Sequence, residues 1–578
     1  MRLKSIYTLP SNDLIPNFWD MIAFVLVLLI IIAFGWAGSE MTLPFKLGHV
    51  IHISLSPGQL PFYAIQTVLR MFIALACSFL FTVIVATLAA KSKRAGKLII
   101  PLIDILQSVP ILGYLSITIT GFIALFPNSM LGPECAAIFA VFVSQVWNMT
   151  LSFYQSLITV PAELREATEV YQLSGWQRFW RLELPFAMPS LLWNAMMSMS
   201  GGWFFIVAAE AISVANQNIT LPGIGSYISV AILDKNLHAI VYAIITMLIV
   251  IVVYDQLFFR PLIAWSQKFK LTDIPDDTAS SWVLTLWQRT RIINKAIAPL
   301  TLAWDIFINN RLFNRRRSIS NQATTDRPAN SLISNLIWYG IITLLSIVCL
   351  VIIYHFIYSR LPISDTWHVV MLGAYTALRV FVLIVLCSII WVPIGVWVGM
   401  RPRVAQIIQP LAQFVAAFPA NLFFPIAVVL IVSLHLNFEI WCAPLMILGT
   451  QWYILFNVIA GASSIPKEIK LAAKNMQLRG WLKWKRFLLP AIFPFYLTGA
   501  ITAAGGAWNA SIVAEIINWG HHTLIAKGLG SYITLNTTEG HFAKIALGIV
   551  VMCIWVIVIN LLLWRPLYKY AENRFRLG

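Results

Sequence analysis

Apolar residues fall into blocks about twenty long, separated by short polar stretches. The first block covers 21–36, and others cover 62–90, 98–126, 132–159, 186–213 and 236–259. After a longer polar interval the series resumes at 333–358, 367–399, 404–433, 437–460, 491–517 and 541–564. Blocks of this length suit the roughly 30 Å hydrocarbon layer of a membrane when helical, whereas a lone strand there could not satisfy its backbone. The pattern therefore predicts about 12 transmembrane helices in two sets of six. A cleavable leader is the competing reading of the first block. Its length, the lack of a clean Ala-x-Ala site and the spans that follow favour a first membrane helix.

The two sets are copies. Trp147 and Trp452, Pro161 and Pro466, Trp176 and Trp481, Pro185 and Pro490, Trp203 and Trp508, Glu210 and Glu515, and Arg260 and Arg565 are each 305 positions apart. Upstream the offset is 309, in Arg70 with Arg379, Pro101 with Pro410 and Pro110 with Pro419. The first copy thus has four extra residues between Pro110 and Trp147, which we place in 126–134. Six helices per copy means that both enter the membrane in the same orientation, about an axis along its normal. The interface between the copies is then the natural translocation path.

Composition agrees with a lipid environment. The 578 residues are 59% hydrophobic and 11% charged, with a mean hydropathy of +0.80, where soluble domains carry about 25% charged residues. The net charge of +17 follows the loops. Lys91, Lys93, Arg94 and Lys97 crowd one, Arg401 and Arg403 its counterpart, and residues 260–327 hold eleven Lys/Arg against five Asp/Glu. By the positive-inside rule both termini and the central segment are expected in the cytoplasm, and nucleic acid is not an expected partner. The six cysteines form no CxxC pair, and His521-His522 lacks companions at ligand spacing. Neither a metal site nor a cofactor is expected.

One loop in each copy stands apart. The first reads Pro161-Ala-Glu163-Leu-Arg-Glu166-Ala167-Thr168 and continues through Gly175-Trp176 to Pro185. The second reads Pro466-Lys-Glu-Ile-Lys-Leu471-Ala472-Ala473 and continues through Gly480-Trp481 to Pro490. In each, proline precedes a short helix, where its missing N–H is harmless, and the glycine is expected to allow a turn into a second stretch. These loops resemble the EAA loops of permeases from binding-protein-dependent ABC importers. That pattern runs Glu-Ala-Ala, three residues, Gly, then about nine residues to a hydrophobic-x-Leu-Pro ending. Glu166-Ala167-Thr168 and Leu182-Glu183-Leu184-Pro185 match it. The second copy keeps Ala472-Ala473 and Leu488-Leu489-Pro490, with Leu471 where Glu is usual. Gln172 and Gln477 occupy the usual glycine position.

The stretch Leu173-Ser174-Gly175-Trp176-Gln177-Arg178-Phe179 looks most like the nitrate/sulfonate/taurine branch, in a fused two-permease form. The resemblance implies an all-α membrane protein of two parallel six-helix repeats in the type I importer fold. It implies permease domains at 62–265 and 371–578. Residues 1–61 and 333–370 would each supply a preceding helix and outer loop, and 266–332 a cytoplasmic linker with an amphipathic helix. It further implies an inner-membrane location, two cytoplasmic ABC ATPase subunits gripping the loops, and a periplasmic or lipid-anchored binding protein. The cargo would be a small solute, an anion such as nitrate, sulfonate or bicarbonate.

No Gly-x-x-x-x-Gly-Lys-Ser/Thr loop for nucleotide phosphates occurs, so ATP hydrolysis is expected on other chains. Glu210, Glu515, Pro110 and Pro419 lie within apolar blocks, where ionisable or helix-breaking residues are candidates for a pathway wall. The glutamates are expected either to face one another about the axis or to order nearby helix ends. The rival reading is an ion-gradient-driven secondary transporter of the major-facilitator type, also two parallel six-helix halves. Its Gly-x-x-x-Asp loop is missing from 91–97.

Overall fold

The computed structural model describes residues 17–44, 51–109, 111–214, 217–269, 281–290, 292–310, 329–519 and 522–574. The first half runs α1 (Phe18–Glu40), α2 (Leu60–Lys91), α3 (Lys93–Ser108), α4 (Ile111–Leu125), α5 (Leu131–Ile158), α6 (Ala162–Val170), α7 (Gly175–Arg178) and α8 (Leu184–Glu210). A hairpin of β1 (Ala211–Val214) and β2 (Gln217–Thr220) leads to α9 (Ile224–Leu233), α10 (Leu237–Tyr254) and α11 (Arg260–Ser266). The linker forms α12 (Trp282–Arg289) and α13 (Ile292–Ile308). The second half runs α14 (Ala329–Tyr358), α15 (Ser364–Gly399), α16 (Pro402–Ala417), α17 (Phe424–Ser433), α18 (Phe438–Ile447), α19 (Trp452–Ser463), α20 (Lys467–Asn475), α21 (Gly480–Lys483) and α22 (Leu489–Ala514). It closes with the hairpin β3 (Ile516–Trp519) and β4 (His522–Ile525), then α23 (Leu529–Glu539), α24 (Phe542–Ile559) and α25 (Arg565–Arg574).

Element boundaries repeat at the sequence offsets. α3 and α16 start and end 309 positions apart, and the two hairpins 305 apart. Five-residue π-helical turns occur at Phe179–Glu183 and Asp255–Phe259, and again 305 positions later at Trp484–Leu488 and Asn560–Trp564. Each wide turn re-aims the helix that continues from it. The chain is therefore all-α apart from two short antiparallel hairpins, which the apolar pattern did not predict.

Two of the expected spans are bent and one is divided. Among the described residues, nine helices are long and apolar enough to cross a membrane, or 11 if each bent pair is one span. The block 404–433 is broken by 73° between α16 and the short turn before α17, and the block 437–460 by 44° between α18 and α19. The block 98–126 is divided into α3 and α4. Pro110, expected to interrupt it, lies outside the described residues. Pro419 sits buried at the 73° break with extended backbone. No N–H is available there to continue the ladder, so the helix ends instead of merely kinking.

The core of each half is the packing of α2 and α8 on α5, or α15 and α22 on α19. Trp203, Met71, Phe153 and Ile206 are fully enclosed, whereas α1 and residues 338–358 of α14 expose most of their apolar surface, as lipid-facing helices do. The halves meet where the Ile111 amide donates to Asn509 Oδ1 (2.7 Å) and Asn421 Nδ2 donates to the Phe204 carbonyl (3.2 Å).

Candidate functional site

Each predicted loop is an elbow of two helical turns. α6 ends because the Gln172 amide bonds the Glu169 carbonyl (2.9 Å) and the Leu173 amide the Thr168 carbonyl (3.0 Å). That reversal needs a left-handed residue, and Gln172 supplies it at φ 51°. Gln477 repeats it at φ 48° after α20. The turn is thus made by the glutamines at the usual glycine position, and the expectation that Gly175 makes it is corrected. Gly175 is the first residue of α7, after Ser174, whose side chain and Gln177 cap each other at 3.2 and 3.0 Å. Gly480 also has positive φ, 53°.

On α6, Glu163, Glu166 and Ala167 face outward and Thr168 inward; on α20, Leu471 and Ala472 face outward and Ala473 inward. Pro185 and Pro490 each sit in the first turn of the long helix that leaves the elbow. Arg165 ties the first elbow to the end of α5 through the Leu157 carbonyl (3.0 Å). Lys91 at the end of α2 approaches Glu183 at 3.2 Å. The basic loop and the elbow therefore share one face of the protein.

The two elbows differ in what covers them. The linker helix α13 lies on the first, with Phe307 5.2 Å from Trp176 and Trp304 4.7 Å from Trp180, ring to ring. Asn309 Oδ1 accepts from Gln177 and Arg181, both at 3.1 Å. On the second elbow Trp481 is 73% exposed and Met476 72%, with Leu471 beside them at 59%.

At the far end of α8, Glu210 does not face Glu515 across an axis. Each is fully buried in a cluster within its own half. Arg70 Nη1 meets Glu210 Oε1 at 2.6 Å while its Nε and Nη2 grip Glu134 at 2.6 and 2.7 Å. Thr67 Oγ1 and the Gly225 amide also donate to Glu210, at 2.7 and 2.8 Å. The second half repeats the cluster with Arg379, Glu439, Thr376 and the Gly530 amide around Glu515. A buried carboxylate needs such partners, and saturated with them it holds the hairpin to α2 or α15 instead of lining an open path.

The repeat register marks both arginines and both later glutamates, but nothing local joins them. Glu134 and Glu439 are also 305 apart, and Glu134 escapes notice because it borders the stretch that carries the extra residues.

Gly225 and Gly530 make the clusters possible. A Cβ at either would run into the carbonyl of Val207 or Ser511. Gly225→Ala and Gly530→Ala are each expected to destabilise the chain by about 1–3 kcal/mol, read as a lower unfolding temperature in detergent. An unchanged transition would show that the two helices are free to separate.

Between the halves lies a cavity of about 550 Å³, bordered by α8, α10, α16, α19 and α22. Both breaks in the second half open on it, through Phe418 and Ala420 at one and Gly449 and Thr450 at the other. Two glycines allow close packing beside it, since a Cβ at Gly202 would abut Gln145 and one at Gly506 would abut Thr450. Among the described residues no group of three or more metal-ligating side chains converges.

A sequence profile described as "Binding-protein-dependent transport system inner membrane component" matches residues 78–259 and 391–576, one stretch in each half. A curated relative, the bicarbonate transport system permease protein CmpB of Synechocystis, is 27% identical over 164 residues, which are 28% of this chain and 55% of that protein. The nitrate import permease protein NrtB of Leptolyngbya laminosa is 23% identical over 184 residues, 32% of this chain and 62% of that one. The chain thus spans little more than half the length of these relatives.

Proposed function

The chain belongs to the binding-protein-dependent transport inner membrane permeases, and from that premise we propose that it supplies both membrane halves of an ATP-driven importer. It is a multi-pass inner-membrane permease component carrying two family domains, and not itself a catalyst. The major-facilitator alternative falls with family membership. In our reading the permease domains are 62–265 and 371–578, joined by the linker 266–332. Residues 1–61 and 333–370 each add one peripheral helix.

The observation that carries the proposal is the pair of elbows. They share one fold, are 305 positions apart, and each leads directly into a long core helix of its half, α8 or α22. A cytoplasmic ABC ATPase subunit on each elbow would push one end of α8 or α22. These helices are 27 and 26 residues long, about 40 Å at 1.5 Å per residue, so the push reaches the hairpin and its ion cluster. ATP binding draws the elbows together and opens the path outward; hydrolysis returns it inward. Both termini lie in the cytoplasm with the elbows, and a periplasmic or lipid-anchored binding protein delivers solute at the hairpin face. The cargo is a small solute, an anion such as nitrate, sulfonate or bicarbonate, and the relatives' names support nitrate and bicarbonate among these.

The test is ATP hydrolysis that co-purifies with the tagged chain from native membranes and rises when a loaded binding protein is added. Hydrolysis at background level in intact, folded preparations would refute the proposal. Uptake that survives ATP depletion and collapses with an uncoupler would do so as well.

A further inference from the structure

We propose that Asn421 and Asn509 are the gate residues of the path between the halves, two second-half side chains that hold it shut by bonding across to the first half. The proposal rests on the importer reading and adds the groups that decide whether the path is open.

Two cavities meet end to end at one level of the protein. The cavity of about 550 Å³ lies towards the elbows, where Trp193 lines it in the early part of α8. A second, of about 300 Å³, lies at the hairpins and is lined by Ala211 and Ile516. Along α8 the lining passes from Phe205 in the first to Val207 in the second, and along α22 from Ala510 to Ile512. Ile206 and Ser511, the residues between, are fully enclosed and 305 positions apart. The path is therefore closed at equivalent turns of both long helices. Leu112, Val207 and Ile512 line the smaller cavity beside this septum, and an apolar constriction of that kind excludes water and ions.

Two hydrogen bonds that join the halves lie at this same level. Asn509 Oδ1 accepts from the Ile111 amide at 2.7 Å, and Asn421 Nδ2 donates to the Phe204 carbonyl at 3.2 Å. Ile111 opens α4, so its N–H has no partner within the helix, and Asn509 serves it as an N-cap would, from the opposite half. Asn421 stands in the short turn that follows the 73° break. Each bond thus ties one long helix to the restart of a broken span in the other half. Phe204 and Asn509 lie 20 residues into α8 and α22, about 30 Å from the elbows at 1.5 Å per residue, so a displaced elbow moves the bonded groups. Asn421 Oδ1 is buried with no hydrogen-bond partner among the described residues, so the shut arrangement leaves one acceptor unsatisfied and costs less to abandon.

The repeat separates the gate from the scaffold. Asn509 is equivalent to Phe204 at the offset of 305, and Asn421 to Leu112 at 309. The two bonds therefore occupy matching places in the duplicated fold, yet both side chains come from the second half. Groups that hold each half together, such as the arginine clusters, recur in both. The asparagines do not, which assigns them to the contact between the halves.

The test places Ser200→Cys on the lining of the larger cavity of the full chain and labels it with a membrane-impermeant maleimide added to one face of sealed vesicles. Mass spectrometry of the peptide that carries it reads the rate. With both asparagines present, reagent at the hairpin face is expected to label it slowly. Asn421→Leu and Asn509→Leu, near-isosteric changes that each remove one bond, should each raise labelling from that face about tenfold. Asn509→Asp, which keeps the acceptor, should label as slowly as the parent. A loosened fold would instead raise labelling from both faces and lower the unfolding temperature, which is followed in every variant. Should Asn509→Leu fail to fold, Asn421→Leu keeps the test open, since the repeat already carries Leu at the equivalent position. Labelling unchanged at the hairpin face in the folded variants, labelling raised equally from both faces, or equal rates for Asn509→Asp and Asn509→Leu would each overturn the proposal. Labelling needs no ATPase, so hydrolysis co-purifying with the same chains separates the two readings. Hydrolysis that persists with unchanged labelling would sink the gate alone, and hydrolysis at background level would sink the importer reading.

Discussion

Arg70→Met is expected to destabilise the first half by about 3–5 kcal/mol, the usual result of removing one partner from a buried ion pair. Arg70 is fully enclosed, and it bridges Glu134 and Glu210. Without it two carboxylates remain in a low-dielectric interior, and the hairpin end of α8 loses its tie to α2. The matching change, Arg379→Met, is expected to do less. The Arg379 side chain is 12% exposed and that of Glu439 39%, so water can reach the carboxylate left behind. Adding Glu134→Gln and Glu210→Gln to Arg70→Met should restore part of the loss, because the buried charges go with their partner. Thermal unfolding in detergent, followed by near-ultraviolet circular dichroism, reads all three chains. Equal effects of Arg70→Met and Arg379→Met would refute the role assigned to burial.

The second large effect is expected at the uncovered elbow. Leu471→Asp, Met476→Asp and Trp481→Asp, combined in one chain, should lower co-purifying ATP hydrolysis by about 100-fold or more. Apolar side chains so exposed become the buried centre of an interface when a partner docks, and such anchors contribute about 2 kcal/mol or more each. Because all three are exposed in the chain alone, its own fold should be unchanged, and the unfolding temperature checks that. Trp176→Asp on the first elbow is a contrasting case, since it breaks a contact with Phe307 inside the chain. If the triple variant retains its hydrolysis, the second elbow is not where the motor grips.

Much of the elbows was legible in the sequence because their determinants are local. A proline, a short helix, a reversal and a second turn lie within 25 consecutive residues, and the copy 305 positions on confirms the frame. The residue that makes the reversal was misassigned because left-handed backbone is ordinarily taken by glycine, and a glycine lay three positions away. The seat of α13 on the first elbow was not readable. Trp304 and Trp180 are 124 positions apart, and nothing in the amphipathic pattern of the linker names the surface it covers.

The sequence by itself determined that this chain lives in lipid, that its halves are copies, and that two elbows project on the side of the basic loops. Transfer into a membrane depends on composition summed along each block, and a fixed offset survives in any fold. Tertiary structure alone decided which glutamate meets which arginine, where the helices of the second half break, and that the breaks enclose a cavity. Those outcomes depend on groups 60 to 153 positions apart finding partners in a medium without water. No local pattern specifies such a meeting, because a buried charge is satisfied by whatever the packing brings near.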